Sequence, residues 1–224
     1  MNDAPGWRQS WFTPAAVLRR WNPAAFAVFL SGYLLSARIF FHERPFTIEQ
    51  AVMSAIGSRT ENPHGYGYAA LSMVVGGGLM LPMTALFRER LGALHPRWCR
   101  VGVGLLRAGL VAAIALGAMA PFESDTYNRV HINIAFLVFL SLSAGLAVSL
   151  SLAACRPGPW RGLLIGLAVI QGLSLGFVGY IYMVPYPHDG YGPWTSVAAL
   201  EWELAASFAI CLTALAAALQ KPVD

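Results

Sequence analysis

The residues best suited to chemistry gather in one short run, Glu123-Ser-Asp-Thr-Tyr-Asn-Arg-Val-His131. Two carboxylates, an amide, a guanidinium and an imidazole fall within nine residues, in a chain that is 57% hydrophobic and only 12% charged. A histidine held by a carboxylate can take a proton from water or from a substrate hydroxyl, so His131 with Asp125 and Glu123 is a candidate acid–base centre. A second acidic feature lies far along the chain at Glu201-Trp202-Glu203, inside an apolar run. An unpaired carboxylate inside a membrane costs at least a few kcal/mol, so each of these needs a partner or a proton. A nucleophile motif of the Ser-x-x-Lys kind is absent.

The elements that must position these groups are apolar. Six runs of about 20 residues recur with short polar breaks, near 23–41, 66–87, 101–120, 130–154, 161–184 and 195–219. Each is long enough as a helix, at about 1.5 Å per residue, to cross a hydrocarbon core. With a mean hydropathy of +0.56, the chain reads as an all-α, polytopic integral membrane bundle of six transmembrane helices. Residues 1–22 form a cytoplasmic interfacial segment, 23–219 the six-span domain and 220–224 a cytoplasmic tail.

The net charge of +4 is a topology signal, not a nucleic-acid footprint. Arg8, Arg19, Arg20, Arg88, Arg90, Arg97, Arg100, Arg156, Arg161 and Lys221 fall in alternate connections, and Arg44, Arg59 and Arg129 in the others. The positive-inside rule then puts both termini in the cytoplasm of a multi-pass cell-membrane protein. On that topology His42, His64, His131 and His188 share the outer side with Glu123, Asp125, Asp189 and Glu201. Convergence of the spans would bring several of them to one outer mouth.

Local signals refine this frame. Asn22-Pro23 suits the start of the first helix. Phe46, Ile48, Val52, Met53 and Ile56 are spaced for a short amphipathic helix on the outer surface. Gly76-Gly77-Gly78, and Gly102, Gly109, Ala113 and Gly117 in the third span, suit close helix contact, as do the pairs Gly162/Gly166 and Gly172/Gly176 in the fifth. Arg38 either snorkels to the outer headgroups or pairs with an acid. Arg107 either snorkels inward or lines a polar cavity, and Gln171 is expected to bond a neighbouring helix. Cys99, Cys155 and Cys211 have no CxxC spacing and read as reduced, buried thiols.

Three chemistries fit the outward groups. The first is acid–base work on a lipid, with His131, Asp125, Glu123 and Glu201 catalytic and Arg38, His64, Asn128 and Trp202 binding substrate. The second is a divalent metal held by histidine and carboxylate ligands. It lacks HxxxH, HExxH or any close ligand pair, so no metal or other cofactor is expected. The third is a structural lock, in which Arg38 pairs with Glu201 or Glu203 and His131 bonds across helices.

The pattern of six spans, with Ser54-Ala-Ile-Gly-Ser-Arg-Thr-Glu-Asn-Pro63 leading into the second and His131 opening the fourth, resembles a bacterial family of uncharacterised membrane proteins. More distantly it is similar to the damage-regulated autophagy modulator and Sfk group, which includes membrane proteins that remodel the lipid of GPI anchors. In that group a Gly-rich turn with a nearby Pro precedes the second span, a His opens a middle span and a Glu-Trp pair occurs late. Gly57 with Pro63, His131 and Glu201-Trp202 match these features, whereas Gly57-Ser58 stands where the group often has Ser-Asp. The resemblance implies lipid remodelling or organisation at the outer leaflet.

The expectation is therefore a protein that handles a lipid or lipid-linked molecule at the outer leaflet, by acid–base chemistry of His131 and the carboxylates. The alternative is a non-catalytic membrane scaffold or lipid-binding partner protein. Membrane lipids are the expected partners, with a further membrane protein or a second copy of the chain as an additional one, and no nucleic acid.

Overall fold

The computed structural model describes residues 13, 16–42, 44, 53–122, 128–183 and 197–220. These residues are helices and their links, with no strand among them. A single π-turn at Val17–Trp21 runs directly into α1 (Asn22–Phe40), whose start carries the expected proline. Then follow the short α2 (Met53–Ile56), α3 (Tyr66–Gly92), α4 (Pro96–Met119), α5 (Asn128–Ala154), α6 (Arg161–Met183) and α7 (Val197–Ala218). Six of them, all but α2, are long and apolar enough to cross a membrane. The chain is a six-span, all-α membrane bundle.

Short links make neighbours antiparallel. Residues 93–95 join α3 to α4, and 155–160 join α5 to α6. One end of the bundle therefore carries Arg88, Arg90, Arg97, Arg100, Arg156 and Arg161, and the other carries the connections around Asn62 and the start of α5 at His131. They are called the arginine end and the His131 end below. Large apolar side chains such as Leu34, Leu71, Val111, Leu137, Leu173 and Ile210 point outward. In lipid that surface is the natural outside, because the chain's backbone polar groups are already paired within the helices.

What draws the helices together is small-residue contact, since lipid removes most of the hydrophobic drive between spans. Successive helices pack in chain order, α1 on α3, α3 on α4, α4 on α5 and α5 on α6, and α7 returns against α5 and α6. A Cβ at Gly32 of α1 would collide with Ser72 of α3, and one at Gly117 of α4 would stand 2.6 Å from the Ala70 carbonyl oxygen. Between α4 and α5 the approach is closest to backbone-on-backbone: a Cβ at Gly145 would lie 2.7 Å from the Leu106 nitrogen and 2.9 Å from the Gly102 carbonyl oxygen. The glycine triplet serves two neighbours at once. Gly76 faces α1, Gly77 faces Ile114 of α4, and Gly78 meets open space, as residues about 100° apart on a helix must.

Three expectations change. Gly162, Gly166, Gly172 and Gly176 of α6 meet nothing within 4 Å, so among the described residues this packing signature is not used. The segment around Met53 and Ile56 does not lie flat on a surface: both side chains are buried, Ile56 completely. Phe46, Ile48 and Val52 lie outside the described residues. Cys99 and Cys211 are buried thiols, but Cys155 is exposed.

The expected interhelical bond of Gln171 is made, to Ser207 Oγ of α7 at 3.0 Å. Arg107, expected to snorkel inward or to line a polar cavity, donates through Nε to Thr84 Oγ1 of α3 at 2.8 Å.

The glycine seam gives a contrast to measure. Gly145→Leu forces α4 and α5 apart and should destabilise the bundle by about 1–3 kcal/mol or more. Gly166→Leu points into open space and should stay within roughly 0.5 kcal/mol of wild type. Unfolding by sodium dodecyl sulfate in mixed micelles checks both.

Candidate functional site

The tight arc of α1, α3, α4 and α5 is closed by α7, and α7 packs only sparsely on α1. Between them lies a cavity of about 160 Å³. Phe26, Phe29 and Tyr33 of α1 form one side, and Glu201, Ala205, Phe208, Ala209 and Leu212 of α7 the other. Met73, Gly77 and Met80 of α3 and the leucine and alanine side chains of α4 and α5 form the back. From Met73 to Met80, or from Ala135 to Leu142, the wall runs about 10 Å along the helix axes.

The cavity is polar at one end only. Helix α7 enters from the His131 end, so Glu201 is its first lining residue; α1 leaves toward that end, so Tyr33 is its last. The hydroxyl of Tyr33 donates to the sulfur of Met73 at 3.3 Å, and the carboxyl of Glu201 lies within electrostatic reach of it. Every other lining side chain is apolar or a thioether. Three of them, Met53, Met73 and Met80, are methionines, whose flexible side chains adapt to irregular occupants.

A polar lock holds the cap over this end. Met53 of α2 lines the cavity and Ile56 is buried beside it. The Ile56 carbonyl accepts from Ser36 Oγ and from Asn62 Nδ2, both at 2.8 Å. The Asn62 amide also donates to Ser36 Oγ at 3.0 Å, while its Oδ1 accepts from the Gly65 N–H at 3.1 Å. Ser36 and Asn62 are both buried, so these bonds satisfy groups that water does not reach. Further out, Arg44 pairs with Glu61 at 3.5 Å and stacks over Phe40, and Arg59 donates to the Pro121 carbonyl at 2.6 Å. The run from Ser54 to Pro63 thus acts as a strap from α1 to the end of α4.

The candidate residues divide clearly. Glu201 is half-buried in the cavity wall. Glu203, two residues on, is exposed, as the helical turn requires. Trp202 is half-buried and packs against the cluster of Tyr33, Phe40, Met53 and Ile56. His131 is half-buried in the first turn of α5, one turn outward from the lining residue Ala135 and on the same face. Glu201 thus lines the cavity itself, and His131 does not.

Arg38 and His64 do not enter it. His64 is exposed in the loop, and Arg38 is exposed on α1, about 140° around the helix from Tyr33. The ion pairs formed among the described residues are Arg44–Glu61 and Arg90–Glu89, so the expected pairing of Arg38 with Glu201 or Glu203 is not made there. Glu123, Asp125, His188, Asp189 and the side chain of Asn128 lie outside the described residues. Among the described residues no group of three or more His, Cys, Asp or Glu side chains is placed to hold a metal ion.

Sequence reasoning missed Tyr33, Ser36 and Asn62. A lone serine facing inward in an apolar helix was the available signal for the lock; Tyr33 carries no local signal at all. No protein-family model matches the chain, and no curated protein or solved structure matches it.

Asn62 offers the direct test of the lock. Asn62→Ala leaves the Ile56 carbonyl and Ser36 short of a donor and should cost about 1–3 kcal/mol. Asn62→Asp should cost more, because it sets a carboxylate oxygen against the Ile56 carbonyl. Limited proteolysis between residues 53 and 65 in micelles should quicken in the same order.

Proposed function

We propose that this chain is a multi-pass cell-membrane protein, with both termini cytoplasmic, that handles a lipid or lipid-linked molecule at the outer leaflet. The observation that carries the reading is the cavity, which is apolar along its length and has Glu201 and Tyr33 at the His131 end. An amphiphile has the same distribution, a tail that prefers the apolar wall and a head that needs polar partners. The excess of arginine at the opposite end supports placing the His131 end outside. The resemblance to lipid-remodelling membrane proteins points the same way.

On this reading the apolar wall holds a hydrocarbon segment while the head rests at the mouth. Glu201 orients the head by hydrogen bonding. His131, a turn above the wall, is placed to move a proton between the head group and water. Asp125 and Glu123, nearby in sequence, are the candidate partners that hold its imidazole. Trp202 and the strap over α2 keep water from the tail.

The second reading is the non-catalytic scaffold, and one observation favours it. Helix α6 turns Gly162, Gly166, Gly172 and Gly176 away from its own bundle, a surface suited to another membrane helix.

Mass spectrometry of total lipids separates the two. Cells carrying wild type, His131→Gln, Glu201→Gln or an empty vector are compared at matched membrane levels. A lipid species that changes with wild type should change about a hundred-fold more slowly with His131→Gln. A profile with wild type identical to that of the empty vector overturns the catalytic reading in favour of the scaffold.

A further inference from the structure

Behind the cavity wall, α5, α6 and α7 meet in a junction that leaves two buried polar groups without partners. We propose that this junction binds a water molecule in the middle of the membrane, bridging Ser143 of α5 to Gln171 of α6. The inference stands apart from the lipid-handling reading, since neither residue lines the cavity.

Depth and facing bring the two groups together. Ser143 and Gln171 are both fully buried. Ser143 stands eleven residues before the end of α5, and Gln171 ten after the start of α6. The link between these antiparallel helices is short, so both groups lie about 16 Å in from it. Around α5, Ser143 is turned about 160° from Gly145, which faces α4. One turn away on its own side is Phe139, whose ring lies 6.1 Å from that of Phe208 on α7. Helices α6 and α7 therefore cover Ser143.

Hydrogen-bond direction shows what the junction lacks. The Ser207 proton goes to the Leu204 carbonyl oxygen at 2.8 Å, so Ser207 Oγ accepts from across the junction. That orients the Gln171 amide with its nitrogen toward α7, donating to Ser207 Oγ at 3.0 Å and to Cys211 Sγ at 3.4 Å. Both amide protons are then used, and Oε1 has no partner. Ser143 Oγ has none either. Other hydroxyls in the spans turn back to a carbonyl of their own helix, as at Ser72, Thr84, Ser174 and Thr213. Ser143 does not, which leaves its proton to be satisfied across the junction.

One water completes the set. It accepts the Ser143 proton, donates to Gln171 Oε1 and turns its second proton to Cys211 Sγ, about three bonds, as is usual for a buried water. A hard cation would want about six oxygen ligands, so a small neutral donor suits this junction and an ion does not. The bridge ties α5 to the α6–α7 pair. It thereby holds the rotation of α7 that turns Glu201 into the cavity.

Ser143→Ala should lower the folding equilibrium constant in dodecyl sulfate titrations about five-fold, the effect of one buried hydrogen bond. In a Gln171→Met background, which lacks the acceptor, the same change should be neutral or stabilising. Ser149→Ala is the control. Its hydroxyl is equally buried and unpartnered but faces Gly102 of α4, so its effect should be the same in both backgrounds. Independently, X-ray radiolysis in nanodiscs turns bound water into hydroxyl radical, which oxidises what it touches. Oxidation of buried Cys211, relative to exposed Cys155, should fall several-fold in Ser143→Ala. Where Gln171→Met does not reach the membrane folded, this readout alone decides. Coupling of the two sites, with Cys211 oxidation that depends on Ser143, supports the proposal. Coupling with Cys211 unoxidised, or oxidised equally in Ser143→Ala, assigns a direct Ser143–Gln171 bond and overturns the water. Absence of coupling overturns the bridge itself.

Discussion

Where α5 crosses α4, the backbone of one helix rests almost on the backbone of the other, and the glycines there leave no space for a side chain. Gly145 approaches the Leu106 nitrogen and the Gly102 carbonyl, while Gly109 lies against Leu142. The same approach recurs between α1 and α3 at Gly32, and between α3 and α4 at Gly77 and Gly117. Dispersion contacts fall off steeply with distance, so helices without a hydrophobic drive between them gain most where backbones meet. Four spans are drawn into a tight arc. The fifth element around the space, α7, has no such glycine seam with α1, and the cavity lies between them.

That void is asymmetric for a physical reason. A carboxyl group is tolerable in a membrane near an end, where partners and water are within reach, and increasingly costly toward the middle. Glu201 sits in the first turns of α7, and below it the wall is aliphatic, aromatic and thioether to Leu212. The strap over α2 completes the arrangement. Its buried bonds run from Ser36 and Asn62 to backbone carbonyls of Ile56 and Gly65 and do not depend on surface charge or salt, whereas the exposed Arg44–Glu61 pair does.

Much of this was legible in the chain, and the boundary of legibility follows range of interaction. Six apolar runs predict six spans because the length of a helix needed to cross a membrane is set by the membrane. The small residues of the third span predict close contact, and Gly102, Gly109 and Gly117 make it. The same logic fails for α6, whose Gly162 and Gly166 face away. A small-residue pair states that a helix can be approached closely, not which neighbour will do so. Gln171 was readable as an interhelical bond because an amide in mid-span must find a partner somewhere. The amphipathic spacing around Met53 was read as a surface helix because periodicity reports an apolar face without saying whether lipid or protein covers it.

By itself the sequence determined the helical class, the number of spans, the alternation of arginine-bearing connections and the depth of Glu201 along its helix. These follow from local composition against a solvent of known thickness. Only the tertiary structure decided that Glu201 faces inward while Glu203 and Arg38 face out, that Tyr33 joins it across the cavity, and that His131 stands one turn above the wall. Rotation of each helix about its own axis is chosen by packing against residues 40 to 170 positions away. Asn62 shows the same limit at shorter range, since its role depends on Ser36 and Ile56 arriving together at its amide, and no spacing rule encodes that meeting.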